Sequence, residues 1–138
     1  MFNYPMVINP TWQKIKVKKI PPEDLVNLMR NENFFILDVR PLDFAKNTSF
    51  IKDSVLCPLV FLRDQYLEIP KENRIFITDW AMKQSPVAAK FLIAKGYQVA
   101  GVLKGGIERW ESEKLPVEGR KPLTKLTPLS SRNKNTVH

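Results

Sequence analysis

Two short apolar runs constrain the fold of this 138-residue chain more than any other feature. Phe34–Leu37 leads directly into Asp38-Val39-Arg40, and Arg74–Thr78, with the run Ile-Phe-Ile, leads into Asp79. Neither run alternates apolar with polar residues, which is typical of strands buried on both faces of a parallel sheet. Such a sheet needs helices on both sides, so the two runs predict an α/β fold.

Helical segments separate the predicted strands and complete this pattern. Residues 21–24, Pro-Pro-Glu-Asp, begin a helix, because prolines are tolerated in a first turn and acids favour the positive helix end. Ser85 as N-cap, Pro86 as first residue and Gly96 as the stop delimit a second helix. The other predicted elements are strands over Ile15–Ile20, Ser54–Cys57 and Gln98–Leu103, helices over Leu59–Tyr66 and Ile107–Glu113, a helical turn over Pro41–Lys46 and a loop over Asn47–Ser49.

The length allows one hydrophobic core and hence one domain. We expect the domain over residues 15–118, preceded by an extension over 1–14 whose apolar side chains could lie on the core as a strip. Residues 119–138 mix Pro, Ser, Thr, Asn and basic residues. Such a tail buries too little apolar surface to offset its ordering entropy, so it is predicted to be disordered.

The net charge of +8 is concentrated at the two ends of the chain. Residues 1–19 carry +4 and residues 119–138 carry +5, whereas the middle is close to neutral at −1. Basic ends attract RNA, anionic membranes or acidic partners, and they also serve as solubilising segments. The sequence leaves these alternatives open.

The single cysteine, Cys57, allows neither an internal disulfide nor a thiolate metal site. No apolar run approaches the ~20 residues of a membrane helix, and the amino terminus lacks the regions of a secretory signal. We therefore expect a cytoplasmic protein without a cofactor, whose oligomeric state the sequence does not determine.

Two carboxylates follow the predicted buried strands, Asp38 and Asp79, at the edge of the sheet where ligands bind in α/β proteins. Asp79 is followed by a six-residue turn and then by a helix. A turn of this kind gathers backbone N–H groups at the positive end of the helix, which suits an anion. The predicted active-site loop consists of Asp79, Trp80, Ala81, Met82, Lys83, Gln84 and Ser85.

Several segments, in this order, resemble the rhodanese-like (sulfurtransferase) family. A strand ending in Asp-Val-Arg, here Asp38–Arg40, resembles the family's first half, and residues 88–118, with Gly-Tyr, Gly-Gly-Ile-x-x-Trp and Leu-Pro-Val, resemble its second. The resemblance covers about residues 15–118. It implies a central, mainly parallel five-stranded sheet with helices on both faces. The scaffold residues that it identifies are Asp38, Arg40, Gly105, Gly106 and Trp110.

The chain departs from this family at the positions where the resemblance places the catalytic residues. The family's catalytic cysteine aligns with Asp79 and its histidine with Phe50, and the loop lacks the Arg, Ser and Gly usual in active members. Sulfur transfer needs a thiolate that can hold a persulfide, and a carboxylate would repel thiosulfate or phosphate. The resemblance therefore implies no catalytic residue, and neither sulfurtransferase nor phosphatase chemistry.

Cys57 is not expected to replace the missing thiol. It lies on an apolar position of a predicted strand, where a free cysteine usually behaves as a small buried hydrophobic residue. The only histidine, His138, is the last residue of the chain. A Cys–His pair is therefore not expected.

Three functional hypotheses remain open from the sequence. The first is an inactive module that binds a protein partner or regulates one. The second is an enzyme of altered chemistry that uses Asp79, with Mg²⁺ held between Asp79 and Asp38 and with Lys83 as phosphate ligand. The third is an accessory protein that binds RNA or anionic membranes through its basic ends.

For three residues of the loop, the sequence allows two alternative roles each. Asp79 either contacts a ligand or accepts N–H bonds from its own loop and caps the helix start. Trp80 either anchors a partner or packs over the loop. Lys83 is either solvated or paired with Asp79, and Trp110 is expected in the core.

Overall fold

A sheet of five parallel strands lies at the centre of the computed structural model, which describes residues 10–45 and 48–118. In chain order the strands are β1 (Lys19–Ile20), β2 (Phe34–Asp38), β3 (Phe50–Ile51), β4 (Val55–Leu56), β5 (Arg74–Thr78), β6 (Val99–Leu103) and β7 (Val117–Glu118). The helices are α1 (Pro22–Asn31), α2 (Leu42–Ala45), α3 (Leu59–Gln65), α4 (Ser85–Ala94) and α5 (Gly106–Ser112), with 3₁₀ helices at Pro10–Lys14 and Tyr66–Glu68. The predicted α/β fold with a five-stranded sheet is confirmed.

The two apolar runs form the middle of this sheet. Its strand order is β1-β6-β5-β2-β4, and β2 pairs with β5 along the whole of both strands. The register places Asp38 beside Thr78, so Asp79 follows at the same edge of the sheet. The two strand-ending carboxylates are therefore neighbours, as the sequence predicted.

Side chains that alternate along the strands build a core on each face of the sheet. Ile75 and Ile77 pack with α3 and α4 on one face, while Phe76 packs with α1 and α5 on the other. Trp110 of α5 is 1% exposed and belongs to this second core, as expected. Because both faces carry apolar side chains, helices must cover both, which explains the absence of alternation in the sequence.

Several predicted boundaries differ from the structure. The strand predicted over residues 15–20 is reduced to Lys19–Ile20, and the one predicted over 54–57 is reduced to Val55–Leu56. Ser85 is not the N-cap but the first residue of α4, and Gln84 occupies the cap position. The hydroxyl of Ser85 instead donates a hydrogen bond to Asp79, a contact that tertiary structure imposes and local cap preference does not encode.

The antiparallel pair of β3 and β7 was not predicted. Each strand has two residues, which is too short for any hydrophobic period to register. This pair brings the end of the described chain beside Phe50. The stop predicted at Gly96 is confirmed, because this glycine has φ +89° directly after the last turn of α4.

The described part of the predicted N-terminal extension packs on the domain. Trp12, in the 3₁₀ helix Pro10–Lys14, meets Phe91 of α4 edge to face, with ring centroids 5.8 Å apart. The rest of the extension, residues 1–9, and the predicted tail 119–138 lie outside the described residues. Within residues 10–45 and 48–118, no helix has the length and apolar character required to cross a membrane.

Candidate functional site

The carboxylate of Asp79 lies inside the loop that follows β5, and its side chain is fully buried. The backbone N–H of Met82 donates to Oδ1 at 2.7 Å, and the Ser85 hydroxyl donates to the same oxygen at 3.1 Å. The N–H groups of Gln84 and Ser85 both donate to Oδ2, the latter at 3.0 Å. The carboxylate is therefore itself the anion that this turn and helix start receive.

These four donors stabilise a buried negative charge without a cation. Hydrogen bonds to an ionised acceptor are stronger than neutral ones, so they can offset much of the desolvation of a carboxylate. Lys83 is exposed, and among the described residues no ion pair joins it to Asp79. The suggested Lys83–Asp79 pair is thus wrong, and Lys83 is a solvated loop charge.

The backbone of the loop has an uncommon conformation at Met82. This residue has φ +66°, in the left-handed region that favours glycine. Its N–H is one of the donors to Asp79, so the strained residue and the buried carboxylate are directly connected. A residue with a Cβ therefore occupies a left-handed position in a loop where the resemblance implies that active members carry a glycine.

The start of α5 holds the loop from its other side. The N–H groups of Ile107 and Glu108 donate to the carbonyl oxygens of Asp79 and Trp80 at 2.8 and 3.1 Å. Gly106 has φ +67°, and a Cβ on it would lie 2.1 Å from the Trp80 carbonyl oxygen. Gly106 therefore permits a close approach of two backbones, whereas a Cβ on Gly105 would meet the side chain of Arg109.

Trp80 is half-buried beside the loop. Its ring meets that of Phe44 in α2 edge to face, with centroids 5.2 Å apart and an interplanar angle of 90°. It also packs on the core that α1 and α5 cover. Trp80 therefore packs over the loop, which is one of the two roles expected for it. Trp80 is only half-buried, and the neighbouring Phe44 is 39% exposed.

Asp38 and Arg40 form a fully buried ion pair at the end of β2, with Nη2 2.7 Å from Oδ2. Arg40 Nε also lies 3.0 Å from both Asp38 oxygens, and its other donors reach Thr48 Oγ1 and the Ser49 carbonyl. The guanidinium carbon lies 5.0 Å from the centre of the Phe50 ring. These contacts tie β2 to the segment before β3, so the Asp-Val-Arg motif is a structural clasp.

Burial raises the pKa of Asp38 above its ordinary value, although the hydrogen bonds and charge of Arg40 lower it. The nearby Asp79 adds a small contribution in the raising direction. Phe50, which the resemblance places at the family's histidine, covers the Arg40 guanidinium with an apolar ring. Phe50 therefore supplies no ionisable group at the position where the resemblance leads one to expect a histidine.

Cys57 is 1% exposed and follows β4 in the core between the sheet and α3. Burial raises the pKa of its thiol to about 12, so the nucleophilic thiolate is almost absent at neutral pH. The expectation of a buried thiol is confirmed. The only histidine, His138, lies outside the described residues, so the prediction that no Cys–His pair forms remains a prediction.

The described residues do not bring a metal-binding group together. In residues 10–45 and 48–118, no cluster of three or more His, Cys, Asp or Glu side chains is placed to hold an ion. Asp38 and Asp79 end neighbouring strands, but the oxygens of each already accept donors from Arg40 or from the loop. The arrangement can hold these carboxylates rigidly but leaves them little capacity for further ligands.

Sequence reasoning missed Phe44 and the Thr48–Ser49 segment as parts of this edge. The ring of Phe44 meets that of Trp80, 36 positions later in the chain, and the hydroxyl of Ser49 donates to Glu111 of α5. Nothing in the local pattern signals a contact over that separation. The motif residues, by contrast, were found because their spacing carries the resemblance.

Comparison with known proteins supports one family throughout. The family model described as "Rhodanese-like domain" matches residues 21–113. The chain is 31% identical over 94 residues to the adenylyltransferase and sulfurtransferase UBA4 of Meyerozyma guilliermondii, covering 63% of this chain. The chain spans only 22% of that relative's length.

Solved structures show the same fold. A rhodanese-related protein from Thermoplasma volcanium has a TM-score of 0.66 and 24% identity, covering 72% of this chain and 96% of its own. The reduced Bacillus anthracis CoADR-RHD has a TM-score of 0.63 and 30% identity, covering 70% of this chain and 17% of its own. Both likenesses extend over most of the described residues.

Proposed function

Because this chain belongs to the rhodanese-like domain family, we propose that it is a catalytically inactive module of that family with a protein-binding or regulatory role. The observation that carries the proposal is the buried Asp79 carboxylate, which accepts the N–H donors of its own loop at the position where the resemblance implies the family's cysteine. The chain thus retains the scaffold and lacks the sulfur nucleophile.

Chemical reasons support the absence of sulfur transfer. The transferred sulfur must reside on a thiolate as a persulfide, and Asp79 cannot carry it. The only thiol, on Cys57, is buried and has a pKa raised to about 12. A substrate anion would also have to displace a carboxylate that is covalently part of the loop, against its negative charge.

Sulfur transfer, an activity in the name of the Meyerozyma guilliermondii relative, is the alternative that an assay must test. We expect thiosulfate:cyanide sulfurtransferase activity at the level of the uncatalysed reaction for the wild-type chain and for Cys57→Ser. Asp79→Cys serves as the matched variant, with a thiol at the aligned position. Robust wild-type turnover that disappears in Cys57→Ser would overturn the proposal.

Asp79→Cys is expected to form a reactive thiol but to turn over slowly. Trp80 and Met82 crowd the loop, and the loop contains no arginine to bind the anion. Thiol labelling at pH 7.5 together with the same assay measures both properties. Efficient turnover by this single change would show that the loop is not remodelled.

The metal-assisted alternative has little support from the geometry. Mg²⁺ requires several oxygen ligands in near-octahedral arrangement, whereas the oxygens of Asp38 and Asp79 accept protein donors. Isothermal titration of the wild type and Asp79→Asn with Mg²⁺ and Mn²⁺ tests it. We expect no binding heat that depends on Asp79.

A partner surface is supported by exposed apolar side chains at the edge that holds the loop. Phe44 in α2 is 39% exposed, and Val60 and Phe61 in the first turn of α3 are 58% and 40% exposed. Both helices begin where parallel strands end, at the same edge as Trp80. Aromatic side chains in such positions are typical anchors of protein interfaces.

Affinity capture with wild type, Phe44→Ala and Trp80→Ala tests this surface, with Leu67→Ala as control. Leu67 is 77% exposed and lies in the 3₁₀ helix after α3, away from this edge. We expect any specific partner to be lost with the two aromatic substitutions and retained with Leu67→Ala. Equal retention by all variants would locate the binding elsewhere on the chain.

A further inference from the structure

The loop between β5 and α4 is folded around an anion that belongs to the chain itself. The two Asp79 oxygens receive four donors, all from residues three to six positions later. Three of the donors are backbone N–H groups, which a side-chain substitution elsewhere in the loop cannot remove. Without the carboxylate, these buried donors would have no acceptor of comparable strength.

The same carboxylate holds a disfavoured backbone conformation in place. Met82 has φ +66°, which a residue with a Cβ avoids unless its surroundings impose it. Its N–H donates to Asp79 Oδ1 at 2.7 Å, the shorter of the two bonds to that oxygen. The carboxylate is therefore placed to impose that turn.

The position of Trp80 depends on this loop. Trp80 directly follows Asp79, its carbonyl accepts the N–H of Glu108, and its ring meets Phe44. A loop that opened at Met82 and Gln84 would leave Trp80 held only by its own packing and by the α5 bonds to the carbonyls of Asp79 and Trp80. The buried carboxylate and the accessible aromatic pair are thus parts of one structural unit.

We propose that Asp79 is a built-in anion that locks the loop Asp79–Ser85 in one conformation and so fixes Trp80 against Phe44. The inference goes beyond the proposed function, since it concerns how the loop is held and does not require any partner. It assigns to Asp79 a positioning role that any small carboxylate, placed in the same cradle, should partly replace.

Chemical rescue distinguishes this role from ordinary packing. Asp79→Ala removes the carboxylate and leaves space for formate, whereas Asp79→Asn fills the same space with an amide that cannot satisfy all the donors. Sodium formate should raise the Tm of Asp79→Ala by at least about 3 °C relative to sodium chloride at equal ionic strength. The Tm of the wild type and of Asp79→Asn should not respond.

Amide hydrogen exchange in the same proteins measures directly how well the loop N–H groups are protected. The N–H groups of Met82, Gln84 and Ser85 should exchange at least about tenfold faster in Asp79→Ala than in the wild type. Formate should restore part of that protection. Unchanged protection in Asp79→Ala, or an equal response of all three proteins to formate, would overturn the lock.

A milder variant keeps the test decisive if Asp79→Ala does not fold. Ser85→Ala removes only the hydroxyl donor to Oδ1 and leaves the three N–H bonds. Because those bonds remain, Met82 and Gln84 should keep most of their protection from exchange, and complete loss of that protection in Ser85→Ala would contradict the lock. These outcomes are separate from the sulfurtransferase assay, which can fail or succeed whatever the loop does.

Discussion

At the scale of single residues, the most informative position is Asp79. Its carboxylate supplies the acceptor for the N–H groups of its own loop, and a carboxylate cannot hold a persulfide sulfur. The chain's only thiol, that of Cys57, is enclosed by apolar side chains and is therefore not accessible to a substrate. Residue identity therefore decides the chemistry while the surrounding backbone keeps the family's shape.

Cys57 should be unreactive in the native state. Its pKa is raised from 9.0 to about 12, which lowers the thiolate fraction at pH 8 about a thousandfold. Labelling by a disulfide reagent at pH 8 should therefore be slow in buffer and fast in denaturing urea. Fast labelling in buffer would contradict a buried thiol.

The same shift predicts a dependence of stability on pH. Because the folded-state pKa lies above the unfolded-state value, the stabilising contribution is present below pH 9 and is lost as the pH rises toward 12. The Tm should therefore fall more between pH 8.5 and 10.5 in the wild type than in Cys57→Ala. Parallel curves for the two proteins would exclude this contribution.

At the scale of secondary-structure elements, backbone contacts at the carboxyl edge determine how α5 meets the loop after β5. Ile107 and Glu108 donate to the loop carbonyls only because Gly106 has no side chain. Arg40 similarly links β2 to the segment before β3, because it donates hydrogen bonds to Thr48 and to the Ser49 carbonyl. These contacts give the residues of both motifs a structural role that does not depend on catalysis.

Gly106→Ala should destabilise the domain by about 2–4 kcal/mol, since its Cβ would meet the Trp80 carbonyl at 2.1 Å and the residue would keep φ +67°. Urea unfolding measures the loss. Gly96→Ala is the matched control, because it also has positive φ but meets only the flexible end of Lys71 at 3.3 Å. Equal losses in both variants would mean that backbone strain alone explains the effect.

Arg40→Met should cost about 3–5 kcal/mol, because it leaves the buried Asp38 without its cation. Burial already raises the pKa of Asp38, and removing Arg40 raises it further, so this variant should become more stable as the pH falls from 7 to 4. Adding Asp38→Asn should recover part of the loss at pH 7. Urea midpoints at both pH values provide the measurement.

At the scale of the whole molecule, the charge distribution separates a nearly neutral domain from basic ends. Residues 20–118 carry −1, while residues 119–138, which lie outside the described residues, carry +5. Long-range attraction to polyanions would therefore come from the ends and not from the carboxyl edge of the sheet. This leaves the third hypothesis as a prediction about the tail.

Deleting residues 119–138 tests that hypothesis without altering the described domain. If five tail charges contact single-stranded RNA, binding by the intact chain should weaken roughly a hundredfold between 50 and 200 mM salt. The truncated chain should lose this salt-sensitive binding to RNA and to anionic vesicles, and its Tm should stay within about 1 °C. An unchanged binding isotherm would exclude the tail as the site.

The sequence by itself predicted the alternation of buried strands and helices and the α/β fold with a five-stranded sheet that they form. These features depend on local apolar patterns and on spacing, both of which are readable along one chain. It also located Asp79 at the end of β5 and Cys57 in an apolar position. The sequence did not predict the two-residue strands β3 and β7, because these strands are defined only by their pairing with each other.

Only the tertiary structure decided which groups the Asp79 carboxylate contacts within the strand-loop-helix stretch 76–96. The sequence allowed Asp79 either to contact a ligand or to cap its own loop, and the folded chain places four donors on the carboxylate. It also brings Phe44 to Trp80 and Gly106 to the loop carbonyls. Such contacts depend on chain segments that are distant in sequence, and local preferences carry no information about them.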